Sequence, residues 1–163
     1  MKARDLMIPL QEHVAPETRL REAVRLLLNA RSGDVEAWDK GLPVLDGTGK
    51  LVGIMTMHDV LKAVYPPYLS MMNLGEFTWD GMVEDLALKA GDKPVAAIMT
   101  TSVITAHEHD TLMDCIDKML RKRIKRMPVV DAENRVVGML YERHIFQAVS
   151  RVMLKTEPPG ERG

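Results

Sequence analysis

The sequence predicts an α/β (α+β) fold of two β-α-β-β-α repeats packed about a pseudo-twofold axis, with small sheets flanked by helices. Three observations predict it. The segment Gly53-Ile54-Met55-Thr56-Met57-His58-Asp59 returns as Gly138-Met139-Leu140-Tyr141-Glu142-Arg143-His144. Two spacings recur: Met7 and Met99, like Leu20 and Leu112, stand 92 apart, whereas Pro43 and Pro128, Asp46 and Asp131, and Gly53 and Gly138 stand 85 apart. In each copy, a stretch with helical apolar spacing gives way to two short apolar runs divided by a turn. A unit of about 60 residues buries only roughly 60% of its unfolded surface, so two such units are expected to pack on each other.

The elements follow in order. Leu20, Ala23, Val24, Leu27 and Leu28 supply the apolar face of a first helix, and Leu112, Cys115, Ile116, Met119 and Leu120 that of its counterpart. Thr111-Leu112-Met113-Asp114 reads as a capping box at the second helix start. Leu42-Pro43-Val44-Leu45 and Met127-Pro128-Val129-Val130 read as buried strands. Each leads through a turn, Asp46-Gly47-Thr48-Gly49 or Asp131-Ala132-Glu133-Asn134, to a second strand, Leu51 to Met55 or Val136 to Leu140. A last helix follows, with Val60, Leu61 and Val64, or Ile145, Phe146 and Val149, on its apolar face. A short strand near Val103-Ile104 completes the second unit, and its counterpart falls near His13-Val14. The two spacings place a seven-residue insertion in the first unit, in the polar, glycine-bounded stretch from Arg31 to Gly41.

The resulting plan is a first repeat at 1–65, a partly helical connection at 66–93, a second repeat at 94–152 and a disordered tail at 153–163. Pro66-Pro67 stops the preceding helix. Met82, Val83, Leu86 and Leu88 suggest a short helix ending before Gly91. Tyr68, Met71, Met72, Leu74, Phe77 and Trp79 read as a lid or contact surface. The composition, 46% hydrophobic and 28% charged with a net charge of −1, fits a soluble globular chain and predicts no attraction to nucleic acid or an anionic membrane. Thirteen methionines imply an adaptable core. The single cysteine, Cys115, makes no internal disulfide, so a reducing, cytoplasmic setting is expected. No apolar run approaches the roughly 20 residues that span a bilayer, and the charged N-terminus is not a signal peptide.

These segments resemble the paired modules of the CBS (cystathionine-β-synthase) domain family. They are Ala3-Arg4-Asp5-Leu6-Met7, Leu42 to Asp46 and Gly53 to Asp59, with Ala97-Ile98-Met99-Thr100, Arg126 to Asp131 and Val136 to Met139 in the second copy. The resemblance covers about residues 1–65 and 94–152. It implies a free-standing regulatory pair, not an enzyme, that binds an adenine nucleotide between its units and dimerises. AMP or ADP is expected ahead of ATP, no cofactor is obligatory, and the regulated protein partner is unidentified.

It also implies a site. The pattern from Gly53 to Asp59 matches the family's ribose motif. A carboxylate accepts from two neighbouring sugar hydroxyls, and Asp59 sits at a helix start, whose positive end suits an acidic side chain. Thr56 is expected on ribose or α-phosphate, with His58 directed into the cleft. Lys125 and Arg126 occupy the family's phosphate position. Ile54, Met99, Thr100, Ile104 and Ile124 would wall the adenine. The related cleft would use Tyr141 and His144 for ribose and Lys40 and Gly41 for phosphate. It lacks both the acid and the arginine, so one working site is expected, with a structural or adaptor dimer of vestigial clefts as the alternative.

Other motifs carry less. Thr56 to Asp59 could simply cap a helix. The run Arg121 to Arg126 is read mainly as a solvated helix end, with ligand roles only for Lys125 and Arg126. His107-Glu108-His109-Asp110 is consecutive in a helix-entry loop, which makes a closed metal site awkward. Asp46-Gly47-Thr48-Gly49-Lys50 joins two strands instead of opening a helix, unlike a phosphate loop. No pairing of nucleophile and base is apparent.

Overall fold

The computed structural model describes residues 1–29, 39–71 and 78–155. A short helix α1 (Ala3–Leu6) and strand β1 (Ile8–Pro9) precede α2 (Leu20–Leu28), β2 (Leu42–Leu45), β3 (Leu51–Met55) and α3 (Met57–Val64). A 3-10 turn at Pro67–Met71 and helix α4 (Met82–Gly91) form the connection, and a second 3-10 turn spans Val95–Ala97. The chain closes with β4 (Ala106–His107), α5 (Leu112–Lys122), β5 (Arg126–Val130), β6 (Val136–Tyr141) and α6 (Glu142–Leu154). Most of the stretch expected to be inserted, and Met72, Leu74, Phe77 and the end of the tail, lie outside the described residues.

The two units exchange their leading segments. β1 joins the sheet of the second unit, whose order is β1-β6-β5-β4, with Ile8 opposite Met139. In return Thr100 bridges Ile54 on β3 of the first unit, which otherwise pairs with β2. Ile8 and Thr100 are repeat mates at the 92-residue spacing, and Ile54 and Met139 at the 85-residue spacing. The same rule holds for Val14 beside Val44 and Ala106 beside Val129. The cores follow suit. Ala3 is fully buried among Cys115, Met127 and Leu140, whereas its mate Val95 is fully buried among Leu42, Val44 and Met55. The sequence units 1–65 and 94–152 are therefore not the spatial lobes, because each lobe takes its first segment from the other copy.

This exchange accounts for the repeated glycine. A Cβ on Gly53 would lie 2.5 Å from Met99 Sδ, and one on Gly138 would lie 2.9 Å from Met7 Sδ and 2.6 Å from the Ile8 carbonyl oxygen. The crossing segment passes directly over each glycine. The Ile8 carbonyl is held by pairing on β6 and has no flexible side chain to yield. Gly138→Ala is therefore expected to destabilise the fold by about 1–3 kcal/mol. A thermal melt would register roughly 2–4 °C per kcal/mol. Gly47→Ala, where a new Cβ meets nothing within 4 Å, is the control, and equal melting of the two variants would refute the close-approach account.

Local chemistry matches the sequence at the turns and caps. Asp46 accepts the Thr48 and Lys50 N–H groups, and its mate Asp131 those of Glu133 and Arg135. The Thr48 hydroxyl bond holds the Asp46 carboxyl below its usual range, and the Arg135 N–H does so for Asp131. Positive φ angles recur at matching turn positions, Gly49 at 83° and Asn134 at 63°. Thr111 accepts from the Asp114 N–H and Asp114 from that of Thr111, the reciprocal cap expected at α5.

Three expectations need correction. The strand placed near Val103-Ile104 lies at Ala106–His107, where Ala106 pairs with Val129. Leu28 and Leu120 are 69% and 70% exposed. Each stands eight residues beyond the leucine that starts its buried stripe, and so is turned about 80° off it at 100° per residue. Leu61 and Phe146 are likewise exposed, since the adjacent Val60 and Ile145 take the inward direction.

Candidate functional site

The lobes meet where the repeat mates Ile54 and Met139 pack with Tyr141, Ile8 and Val103. On one side of this seam opens a cleft of about 530 Å³. Its walls are Ile54, Thr56, Met57 and His58 from the first unit, Thr100 and Arg123 to Arg126 from the second, and Asp39. Seven of the residues singled out from sequence thus converge: Ile54, Thr56, His58, Thr100, Ile124, Lys125 and Arg126. Strand pairing sets Arg126 opposite Tyr141, and Thr56 and His58 stand at the start of α3.

Met99, Ile104 and Asp59 do not line this cleft. Side chains alternate along an extended segment, so with Thr100 facing the cleft, Met99 turns back onto Gly53 and packs against the first core. Ile104 packs against the second core. Asp59 lies one layer behind. It is 4% exposed. One carboxylate oxygen accepts the Thr100 hydroxyl at 2.8 Å. The other accepts the Thr56 N–H at 2.9 Å and the Thr56 hydroxyl at 3.2 Å. Asp59 therefore caps α3 and also ties α3 to the exchanged segment. Both hydroxyls point their protons at the acid, so each can present lone pairs to a donor in the cleft. The rim of Asp59 contributes instead to a separate hollow with Lys62, Leu86 and Ile98.

Sequence reasoning missed Arg123, Asp39 and Met57. Arg123 adopts φ 52° as α5 ends, which places it beside Ile124 on the cleft instead of on the solvated helix face. Asp39 is the 85-residue mate of Ile124, and that spacing was the available signal. Arg126 Nε is buried and has no hydrogen-bond partner among the described residues, which leaves a donor for an anion. Its chain lies across Gly41, where a Cβ would stand 3.0 Å from Arg126 Cδ.

The related cleft is closed at its inner end. Lys40 is 3% exposed. Its ammonium pairs with Glu12 and donates to the Leu26 carbonyl at 3.2 Å, so it does not face a phosphate position. Tyr141 is 5% exposed, and its hydroxyl accepts the Gly41 N–H at 3.5 Å. Burial pushes the phenol pKa up. His144 stands edge-on to Tyr141, with ring centroids 5.8 Å apart. These groups leave about 20 Å³ between Ile8, Lys40 and Met139. In the loop before α5, the His107 N–H and Lys118 hold Asp110. Burial opposes ionisation of Asp110, yet these bonds outweigh it and keep its carboxyl below the usual range. Among the described residues no helix is long and apolar enough to cross a membrane.

Comparison with known proteins matches the CBS domain family model at residues 3–66 and 95–151. The chain is 30% identical over 162 residues to the chloroplastic CBS domain-containing protein CBSX2 of Arabidopsis thaliana, covering 94% of this chain and 65% of that protein. It is 28% identical to the chloroplastic CBSX1 of the same plant, covering 85% of this chain and 59% of the relative. The chain thus spans less than two thirds of both plant proteins. Inosine-5′-monophosphate dehydrogenase of Methanocaldococcus jannaschii is 30% identical over 147 residues, which are 90% of this chain and 23% of the enzyme. The crystal structure of CBSX2 in complex with AMP superposes with a TM-score of 0.66 at 26% identity, covering 93% of this chain and 98% of that one.

Proposed function

This chain belongs to the CBS domain family, and on that premise we propose that it is a regulatory module binding an adenine nucleotide in the cleft between Thr56 and Arg126. The observation that carries the reading is the convergence of both repeats on one open cleft, whose walls bring together Thr56, Thr100, Arg123, Lys125 and Arg126. The AMP complex of CBSX2 supports the ligand class. Thr56 and Thr100 accept from the ribose, and Asp59 orients them from behind. Ile54 and Ile124 offer apolar contact to the base, and Arg126 Nε receives the phosphate.

The signal travels through the seam. Asp59 and Thr100 join α3 to the segment entering the second lobe, so a ligand gripping both changes their relative setting. It regulates only by binding one setting more tightly than another. The reader is a protein partner or a second copy of the chain. Leu28, Leu61, Leu120 and Phe146, all exposed, form two repeat-related pairs that fit a homodimer contact. A cytoplasmic setting is proposed on the single buried cysteine, Cys115, while the two plant relatives are chloroplastic. The module is read as a binder and not a catalyst.

Calorimetric titration with AMP, with mass measured by light scattering, tests this. One nucleotide per chain and a dimer mass are expected, because Lys40 and Tyr141 fill the inner end of the second cleft. Two equivalent sites would overturn the single-cleft assignment, and a monomer mass the dimer. Absence of binding to any adenine nucleotide would favour an adaptor.

A further inference from the structure

A hollow of about 480 Å³ lies between the end of α3, helix α4 and the segment that enters the second repeat. It shares no lining residue with the cleft at Thr56 or with the space around Tyr141. The connection creates it. Pro66 and Pro67 carry no N–H to continue α3, so the chain turns away, and α4 then packs back on α3 and α2. Met82 and Ala90 are buried and anchor α4 at its two ends. Leu86 stands midway between them on the same helix face, yet it is only half-buried, because it projects over the hollow. Val64 and Ile98 face Leu86's hollow from the other walls and are likewise half-buried.

Two cations accompany these apolar walls. Lys62 and Lys93 are exposed lining residues, and neither enters any of the ion pairs among the described residues. The backbone holds Lys93 in place, since its N–H donates to the Ala90 carbonyl at 3.1 Å and its own carbonyl accepts the Leu20 N–H at 2.8 Å. The acid on the wall, Asp59, is 4% exposed and already committed to Thr56 and Thr100, so it does not neutralise the lysines. The repeat supplies a comparison. Ala63, Val64 and Ile98 have apolar mates in Ala148, Val149 and Leu6, whereas Lys62 and Lys93 have Gln147 and Met1. The scaffold therefore needs the apolar walls in both copies and the two cations in neither. A concave space of this size with apolar walls and a few convergent charges has the make-up of a small-molecule site.

We propose that this hollow is a separate ligand site for a small carboxylate with an apolar body, its tail covering Leu86, Val64 and Ile98 and its carboxylate held between Lys62 and Lys93. The test is calorimetry on the full chain with octanoate and with octanol, which share a tail and differ in charge. Octanoate is expected to bind saturably and about fivefold or more tightly than octanol, the upper worth of one exposed ion pair. Lys62→Gln and Lys93→Gln each weaken octanoate about threefold to fivefold and leave octanol unchanged. Leu86→Asp weakens both probes, because it puts a charge against the tail. Lys122→Gln, at an exposed lysine outside the hollow, leaves both unchanged. Unaltered melting of each unliganded variant checks its fold. Octanol binding as tightly as octanoate, octanoate affinity surviving in both Lys62→Gln and Lys93→Gln, or no saturable octanoate binding overturns the assignment.

Discussion

Asp59→Ala is expected to weaken nucleotide binding tenfold or more and to lower the melting temperature of the unliganded protein. Both effects have one origin. The carboxylate accepts from Thr56 N–H, Thr56 hydroxyl and Thr100 hydroxyl. Removing it leaves those groups without their buried acceptor and takes away the cap of α3, a loss of about 1–2 kcal/mol. It also frees the two hydroxyls to rotate, so they no longer hold lone pairs toward the ligand. A lost charge-assisted network of this kind is worth about 1.5–3 kcal/mol, which is tenfold or more in affinity. Asp131→Ala separates the two effects. Asp131 performs the same local service for a hairpin turn but does not line the cleft, so its removal should leave affinity nearly unchanged. Equal affinity of wild type and Asp59→Ala by calorimetry would remove Asp59 from the site altogether.

Glu12→Ala should be the most destabilising of these substitutions, by about 3–5 kcal/mol in chemical denaturation. It strips the counter-charge from Lys40, whose side chain is 3% exposed while that of Glu12 is 20% exposed. The ammonium would then keep only the Leu26 carbonyl. A buried, uncompensated cation costs far more than the pair contributes in place. Lys40→Met tests the asymmetry. The chain keeps its packing, and the stranded Glu12 reaches solvent, so stability should be unchanged or higher. A loss below about 1 kcal/mol in Glu12→Ala would mean that Lys40 escapes to water, and that the second cleft is not closed by this pair.

The element order and the repeat were legible because they rest on local signals. Helical spacing from Leu20 and Leu112, the turns at Asp46 and Asp131 and the cap at Thr111 are each decided within a few residues. The basic end of the cleft was legible for a related reason, since Lys125 and Arg126 precede a recognisable strand. Pattern failed where two neighbours competed for one direction. Met99 and Thr100 are neighbours, yet an extended segment sends them to opposite faces, and Leu61 and Phe146 stand about 100° from the inward-turned Val60 and Ile145.

By itself, the sequence determined that this chain is a duplicated β-α-β-β-α scaffold, that Gly53 and Gly138 are equivalent, and that only one copy retains the Thr56–Asp59 pair. The tertiary structure alone decided that Ala3 and Val95 exchange lobes, that Asp59 sits behind Thr56 and Thr100, and that Glu12 neutralises the buried Lys40. The division has a physical cause. Periodicity and turn chemistry act over a few bonds, whereas Ile8 meets Met139, and Thr100 meets Asp59, only after the chain has closed long loops and two lobes have competed for the same segments.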